Sequence, residues 1–208
     1  MLLKTRSLAP IIDPSARVAP TAVISGDVHI GPNTSIGHGV VIAAEGGSIH
    51  IGEHCVIMDT AVLRGVPNQP LRVGNHVLVG PRAYLVGCTI EDEVFIATGG
   101  TVFNGAVIGR NSQVRINGLV HLRTTLAPGS MVPIGWVAVG TPAKILPTSD
   151  HDGIWAIQQT LDFSGYVFNI KRPADGSPVM KTLMERYSSA LCRMRGEESP
   201  AESAMRVE

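Results

Sequence analysis

Histidines are the side chains here best suited to chemistry: His29, His38, His50, His54, His76, His121 and His151. An imidazole can bind a metal or exchange a proton near neutral pH. A catalytic zinc takes three protein donors and a water, and none of these histidines has a second one at ligand spacing along the chain. No metal site is expected from them, although a set assembled across a threefold axis stays open. Cys55, Cys88 and Cys192 are odd in number, far apart and without a CxxC pair. That pattern fits free thiols in a reducing, cytoplasmic setting.

The elements that must position these groups show as a six-residue beat of aliphatics. It runs through Ile12, Val18, Ile24, Ile30, Ile36 and Ile42, then Ile51, Ile57 and Leu63, then Val73, Val79 and Leu85. It resumes at Ile90, Ile96, Val102, Ile108, Val114, Val120, Leu126 and Val132. Four places after most beats stands a small residue, such as Ala22, Cys55, Ala83 or Ser112. A period of six fits neither a helix nor an alternating strand. It predicts an all-β fold, a parallel β-helix in which each hexapeptide makes one side of a triangular coil. Twenty beats, three to a coil, predict six to seven coils. Residues after the beat point outward. On one side they form the column Ser25, Ala43, Arg64, Val86, Phe103 and His121, spaced at about 4.8 Å. His38, His54 and His76 fall at corners.

The beat stutters three times within fifty residues: three residues are inserted before Ile51, four before Val73, and one is lost before Ile90. In a solenoid such breaks map to loops on one face, often the working face. The solenoid is expected over residues 1–148, with 1–11 as a lead-in and VAVGTPAKILP as the closing turn. Residues 149–196 are expected to add a helical appendage. It would hold a short helix with Ile154, Ile157 and Leu161 on one stripe, an extended stretch from Tyr166 to Lys171, and a turn-rich linker over 173–178. A second helix would be capped by Ser177, carry an apolar stripe of Val179, Leu183, Tyr187 and Leu191, and end at Gly196. Residues 197–208 are expected to be a disordered tail. Net charge is zero and aromatics are 4%, which leaves no electrostatic footprint for nucleic acid. No leader peptide and no membrane span is expected.

The segments VVIAAEGGSIHIGEHCVIMDTAVLRG and VGNHVLVGPRAYLVGCTIEDEVFIATGGTVFNGAVIG, with the ending VAVGTPAKILP, resemble the γ-class carbonic anhydrases over residues 12–148. The resemblance implies a left-handed β-helix assembled as a homotrimer, with each zinc held between two subunits by three histidines. It places Arg64 at the first histidine position, Pro81 at the second and Val86 at the third. Ala43 and Glu45 stand at the family's Arg and Asp positions, Met58 at its Gln position, and Asp59, Gly87 and Cys88 are kept. Neither proline nor valine can donate to a metal, and a guanidinium is a permanent cation. The expectation is a zinc-free protein without carbonic anhydrase activity.

By the same resemblance the Arg64 column faces the next subunit, with Pro81, Arg82 and Tyr84 coming from the adjacent side. The remodelled pocket between subunits would gather Arg64, Arg82, Tyr84, Glu45, Asp59 and Asn104, a mixture suited to a small anionic ligand or to a structural ion-pair cluster. Two alternatives stand beside this. Hexapeptide acyltransferases use a histidine as general base with coenzyme A between subunits. His121, with Arg123 near it in GLVHLRTT, would be that catalytic residue, acting on a CoA thioester. The other alternative is a structural or partner-binding trimer that docks through its C-terminal helix.

Overall fold

A computed structural model describes residues 1–5, 8–171, 178–194 and 197–198. The hexapeptide beat becomes three stacks of short parallel strands. The first stack runs from Leu2–Thr5 through Val23–Ser25, Val41–Ala44, Val62–Gly65, Tyr84–Val86, Thr101–Val102 and Leu119–Val120 to Val137–Val139. The second runs from Ile11–Ile12 to Thr125–Leu126, and the third from Arg17–Val18 to Met131–Val132, each with seven strands. The first sheet has ten strands, of which the two at its edges are antiparallel, leaving eight in parallel. That is one rung more than the expected six to seven, because the lead-in Leu2–Thr5 pairs in parallel with Val23–Ser25.

The beat residues fill the shaft. Ile24, Ile42, Leu63, Leu85, Val102 and Val120 stack in unbroken register and are fully enclosed. The expected column of one side is therefore the observed one. Burying a chain of such aliphatics at every rung is the main stabilising term, since each enclosed side chain contributes about 1.5–3 kcal/mol. The small residues sit at the corners, where they also answer backbone groups: the Thr34 hydroxyl donates to the Gly52 carbonyl at 2.8 Å. His54 and His76 occupy left-handed corner positions, φ 53° and 57°, and their rings stack at 5.3 Å.

The last rung closes where Lys144–Leu146 folds back antiparallel on Val137–Val139. Three α-helices follow among the described residues: α1 (His151–Gln158), α2 (Phe163–Phe168) and α3 (Met180–Met194). The stretch from Tyr166, expected to be extended, begins instead inside α2. The Asp162 carboxylate accepts from the Gly165 amide at 3.1 Å, and Asn169 ends the helix in the left-handed region. These two local caps outweigh the β-leaning side chains between them. On α3, Leu183 is buried and Tyr187 and Leu191 are half-buried, as is Val179 just before the helix, so the apolar stripe faces the solenoid. Ser177, Gly196 and the linker over 173–177 lie outside the described residues. Within the stretch expected to be the tail, Glu197–Glu198 pairs antiparallel with Lys4 and Thr5, and residues 199–208 lie outside the described residues. No helix among the described residues is long and apolar enough to cross a membrane.

Candidate functional site

The three stutters all fall at one corner, where the chain passes from the first sheet to the second. The first insertion turns after Val41–Ala44, the second after Val62–Gly65 as a Val66–Gln69 bridge, and the deletion after Tyr84–Val86. Glu45, Val66, Pro67, Asn68 and Gln69 from these loops wall a cavity of about 780 Å³. Arg64, Val86, Phe103 and Asn104 form its floor, and α2 and α3 its roof.

Arg64 dominates the polar end. Its guanidinium donates to the Tyr84 hydroxyl at 3.3 Å and to the Tyr187 hydroxyl at 3.1 Å, and pairs with the Glu45 carboxylate. Burial works against the charge, but the bonds from Tyr187, Glu45 and Tyr84 and the Glu45 charge more than offset it, so the guanidinium is held ever more firmly protonated. At the other end the Asn104 amide, almost fully buried, donates to Gln69 Oε1 at 2.6 Å. Gln69 in turn donates to the Tyr166 carbonyl of α2 at 3.4 Å. Between these ends lie rings. Phe103 meets Tyr84 edge-on at 6.4 Å, and Phe168 meets Phe163 and Tyr187 at 5.6 and 5.4 Å. The Arg123 guanidinium lies over the Tyr166 ring at 5.3 Å. Gly105 is required beneath that ring. Its φ is +70°, and a Cβ there would come within 2.1 Å of the Tyr166 hydroxyl.

Of the residues singled out in the sequence, Arg64, Glu45, Tyr84 and Asn104 come together. Tyr84 reaches Arg64 from the same face, not from across an interface, because it stands two places before Val86 on one strand. Asp59 and Arg82 are elsewhere, at the corner between the third and first sheets. The Asp59 carboxylate accepts from the His38 amide at 2.7 Å, and its carbonyl accepts from the Arg82 amide at 3.2 Å. Residues of a single protomer suffice to line this cavity. Gln69, Tyr166, Phe163, Phe168 and Tyr187 were missed. Only Tyr187 had a readable signal, as a phenol on an otherwise aliphatic helix stripe.

His121 lies two rungs beyond Val86 and outside this cavity, with its ring 6.2 Å from Phe103. Burial lowers its proton affinity, and its Nδ1 is buried without a hydrogen-bond partner. His50, on the second sheet, is also lowered, by burial first and then by His29 and Arg72. Both imidazoles therefore bind a proton less readily folded than unfolded. The unfolded chain holds more protons below the ordinary value of 6.5, so stability is complete above it and is lost as pH falls. Urea midpoints are expected to drop between about pH 7.5 and 5.5, and the drop to shrink in His121→Gln. A profile that is flat, or unchanged by the substitution, would contradict the assignment.

Could this site hold zinc? A zinc site requires imidazole, thiolate or carboxylate donors. Arg64 and Val86 supply none. Glu45 is committed to Arg64, and burial pushes the Cys88 thiol up, away from thiolate. Among the described residues no group of three His, Cys, Asp or Glu side chains is placed to hold a metal ion. The residues present do not fit the ion.

No family model matches the chain. Relatives are nonetheless clear. The chain is 33% identical to "Gamma carbonic anhydrase 1, mitochondrial" of Arabidopsis thaliana over 165 residues, 76% of this chain and 58% of that protein. It spans less than six-tenths of the length of that relative. It is 32% identical over 149 residues to the Methanocaldococcus jannaschii protein named "Probable carbonic anhydrase", covering 72% of this chain and 90% of that one. A solved Bacillus cereus structure, described as a "putative acetyltransferase", superposes with a TM-score of 0.53 at 27% identity, over 77% of this chain and 91% of that one. Rung register, corner loops and likeness across nearly the whole archaeal relative agree: the chain belongs to the γ-carbonic anhydrase family of hexapeptide-repeat proteins.

Proposed function

We propose that this chain is a zinc-free member of its family, in which the cavity beside Arg64 binds a small anionic ligand in place of carbon dioxide chemistry. The observation that carries this is the guanidinium standing where the resemblance puts a zinc ligand, enclosed with two phenols and an aromatic wall. Three of its donors are taken, and the rest remain open to a carboxylate. We take the protein to assemble as a homotrimer in the cytoplasm. Apolar side chains left exposed on the third sheet, Val56, Phe95 and Met131 at 42%, 37% and 51%, support the assembly. Buried free thiols at Cys55 and Cys88 support the compartment.

Benzoate and bicarbonate test the pocket. Benzoate, an anion with a ring, is expected to raise the melting temperature, and bicarbonate to raise it less. Arg64→Gln should abolish both shifts, and Asn104→Ala should weaken the benzoate shift. Equal shifts in wild type and Arg64→Gln, or none in wild type, would end this reading.

Acyl transfer through His121 is the second reading, favoured by its lowered proton affinity and by the Bacillus cereus likeness. A general base, however, needs its second nitrogen oriented by an acceptor. His121 Nδ1 has none, so the ring proton rests more cheaply on Nε2, the nitrogen that would have to accept. Acetyl-CoA is accordingly expected to leave the melting temperature unchanged.

A further inference from the structure

The second sheet carries a different ladder on its outer surface. Register sets Ile11 beside His29, His29 beside His50, His50 beside Arg72, and Arg72 beside Thr89. These side chains line a shallow groove of about 630 Å³. Its floor is bare backbone at Gly31, Gly52 and Gly74. A Cβ at any of the three would come within 2.8 Å of the next rung's backbone, so no side chain can fill the floor.

The His29 and His50 rings stack at 4.8 Å and are within 2° of parallel. His29 Nε2 lies 3.2 Å from the Asp27 carboxylate, which holds it. His50 Nδ1 is buried without a partner. An N–H left unpaired in that position costs more than a bare nitrogen. The ring proton is therefore assigned to Nε2, which can donate into the groove. One rung on, Arg72 is exposed and has no ion-pair partner among the described residues. The acids nearby are already engaged, Asp27 by His29 and Asp13 by the Ser15 amide and hydroxyl. The groove thus presents a guanidinium fork without a counter-ion and an imidazole N–H, carried on adjacent rungs about 4.8 Å apart.

We propose that this groove binds a phosphate dianion, free or as the head of a phosphomonoester. Arg72 holds two of its oxygens in a fork, and His50 Nε2 donates to a third. A planar fork beside a single N–H donor matches a tetrahedral oxyanion better than a planar carboxylate, which the fork alone would satisfy. The site is separate from the Arg64 cavity, since neither Arg72 nor His50 lines that cavity. The two proposals stand or fall independently.

The full chain, titrated with inorganic phosphate and followed by the imidazole NMR resonances, tests it. His50 is expected to shift along a saturable curve. Arg72→Gln, an exposed substitution, should weaken binding by about tenfold, the loss of one charge-assisted pair of bonds. Lys144→Gln, an exposed cation on the closing strand outside both cavities, should titrate as wild type. Methyl phosphate binding more tightly than inorganic phosphate would identify the monoester as the bound form, and the reverse order free phosphate. No saturable shift in wild type, or an unchanged titration in Arg72→Gln, overturns the proposal.

Discussion

Purified from zinc-replete medium, the protein is expected to carry far less than one zinc per chain and to hydrate carbon dioxide no faster than buffer does. Metal-bound hydroxide in a carbonic anhydrase turns over at about 10⁶ per second, because the ion brings the pKa of its water down to about 7. Nothing at the corresponding place in this chain can hold that ion. The positions that the resemblance assigns to zinc ligands hold Arg64, Pro81 and Val86, a fixed cation and two side chains without donors. The groups that could stand in are spoken for. Glu45 pairs with Arg64, Asp59 accepts from the His38 amide, and Cys88 is buried as a thiol. A chelator should therefore change neither melting temperature nor any activity. Stoichiometric zinc that survives dialysis, together with chelator-sensitive hydration, would show that donors are recruited from a neighbouring subunit and would defeat the proposed function.

Much of this molecule could be read from its sequence because a solenoid repeats one physical constraint. The shaft has room only for an aliphatic at each beat, so the order Ile24, Ile42, Leu63, Leu85, Val102, Val120 fixes register without knowledge of anything distant. Arg64 followed at once as the outward neighbour of Leu63, and the three stutters located the corner that became the cavity wall. The roof was not legible. Tyr187 reaches Arg64 across 123 residues of chain, and no periodicity links a helix face to the rung it lands on. The α2 segment failed for a local reason, since its caps are single residues, Asp162 and Asn169, within a stretch whose aromatic and branched side chains favour strand. Asp59 and Arg82 fall outside the Arg64 cavity for a third reason. Counting along the chain gives the side of the triangle but not how sharply a corner turns a side chain away.

Glu45→Gln is expected to destabilise the fold by about 2–4 kcal/mol, a loss of about 10 °C in melting temperature for a chain of this size. The substitution keeps shape and removes only charge. It leaves the Arg64 guanidinium, whose side chain is 22% exposed, facing a neutral amide in a largely dry site. An uncompensated buried charge costs far more than the ion pair contributed, which is why the loss should exceed that of an exposed pair, about 0–1 kcal/mol. Arg64→Met in the same background removes the stranded charge and should recover most of the loss, since an apolar replacement of a buried pair is often neutral. The Tyr187 hydroxyl then loses its donor, so recovery stops short of wild type and α3 becomes the first element to exchange its amide protons. Urea unfolding of wild type, both single variants and the double variant closes the cycle. If the two single losses simply add, Glu45 and Arg64 are not coupled. The guanidinium then has its full charge to offer, and an anion in the cavity should bind more tightly than the paired geometry allows.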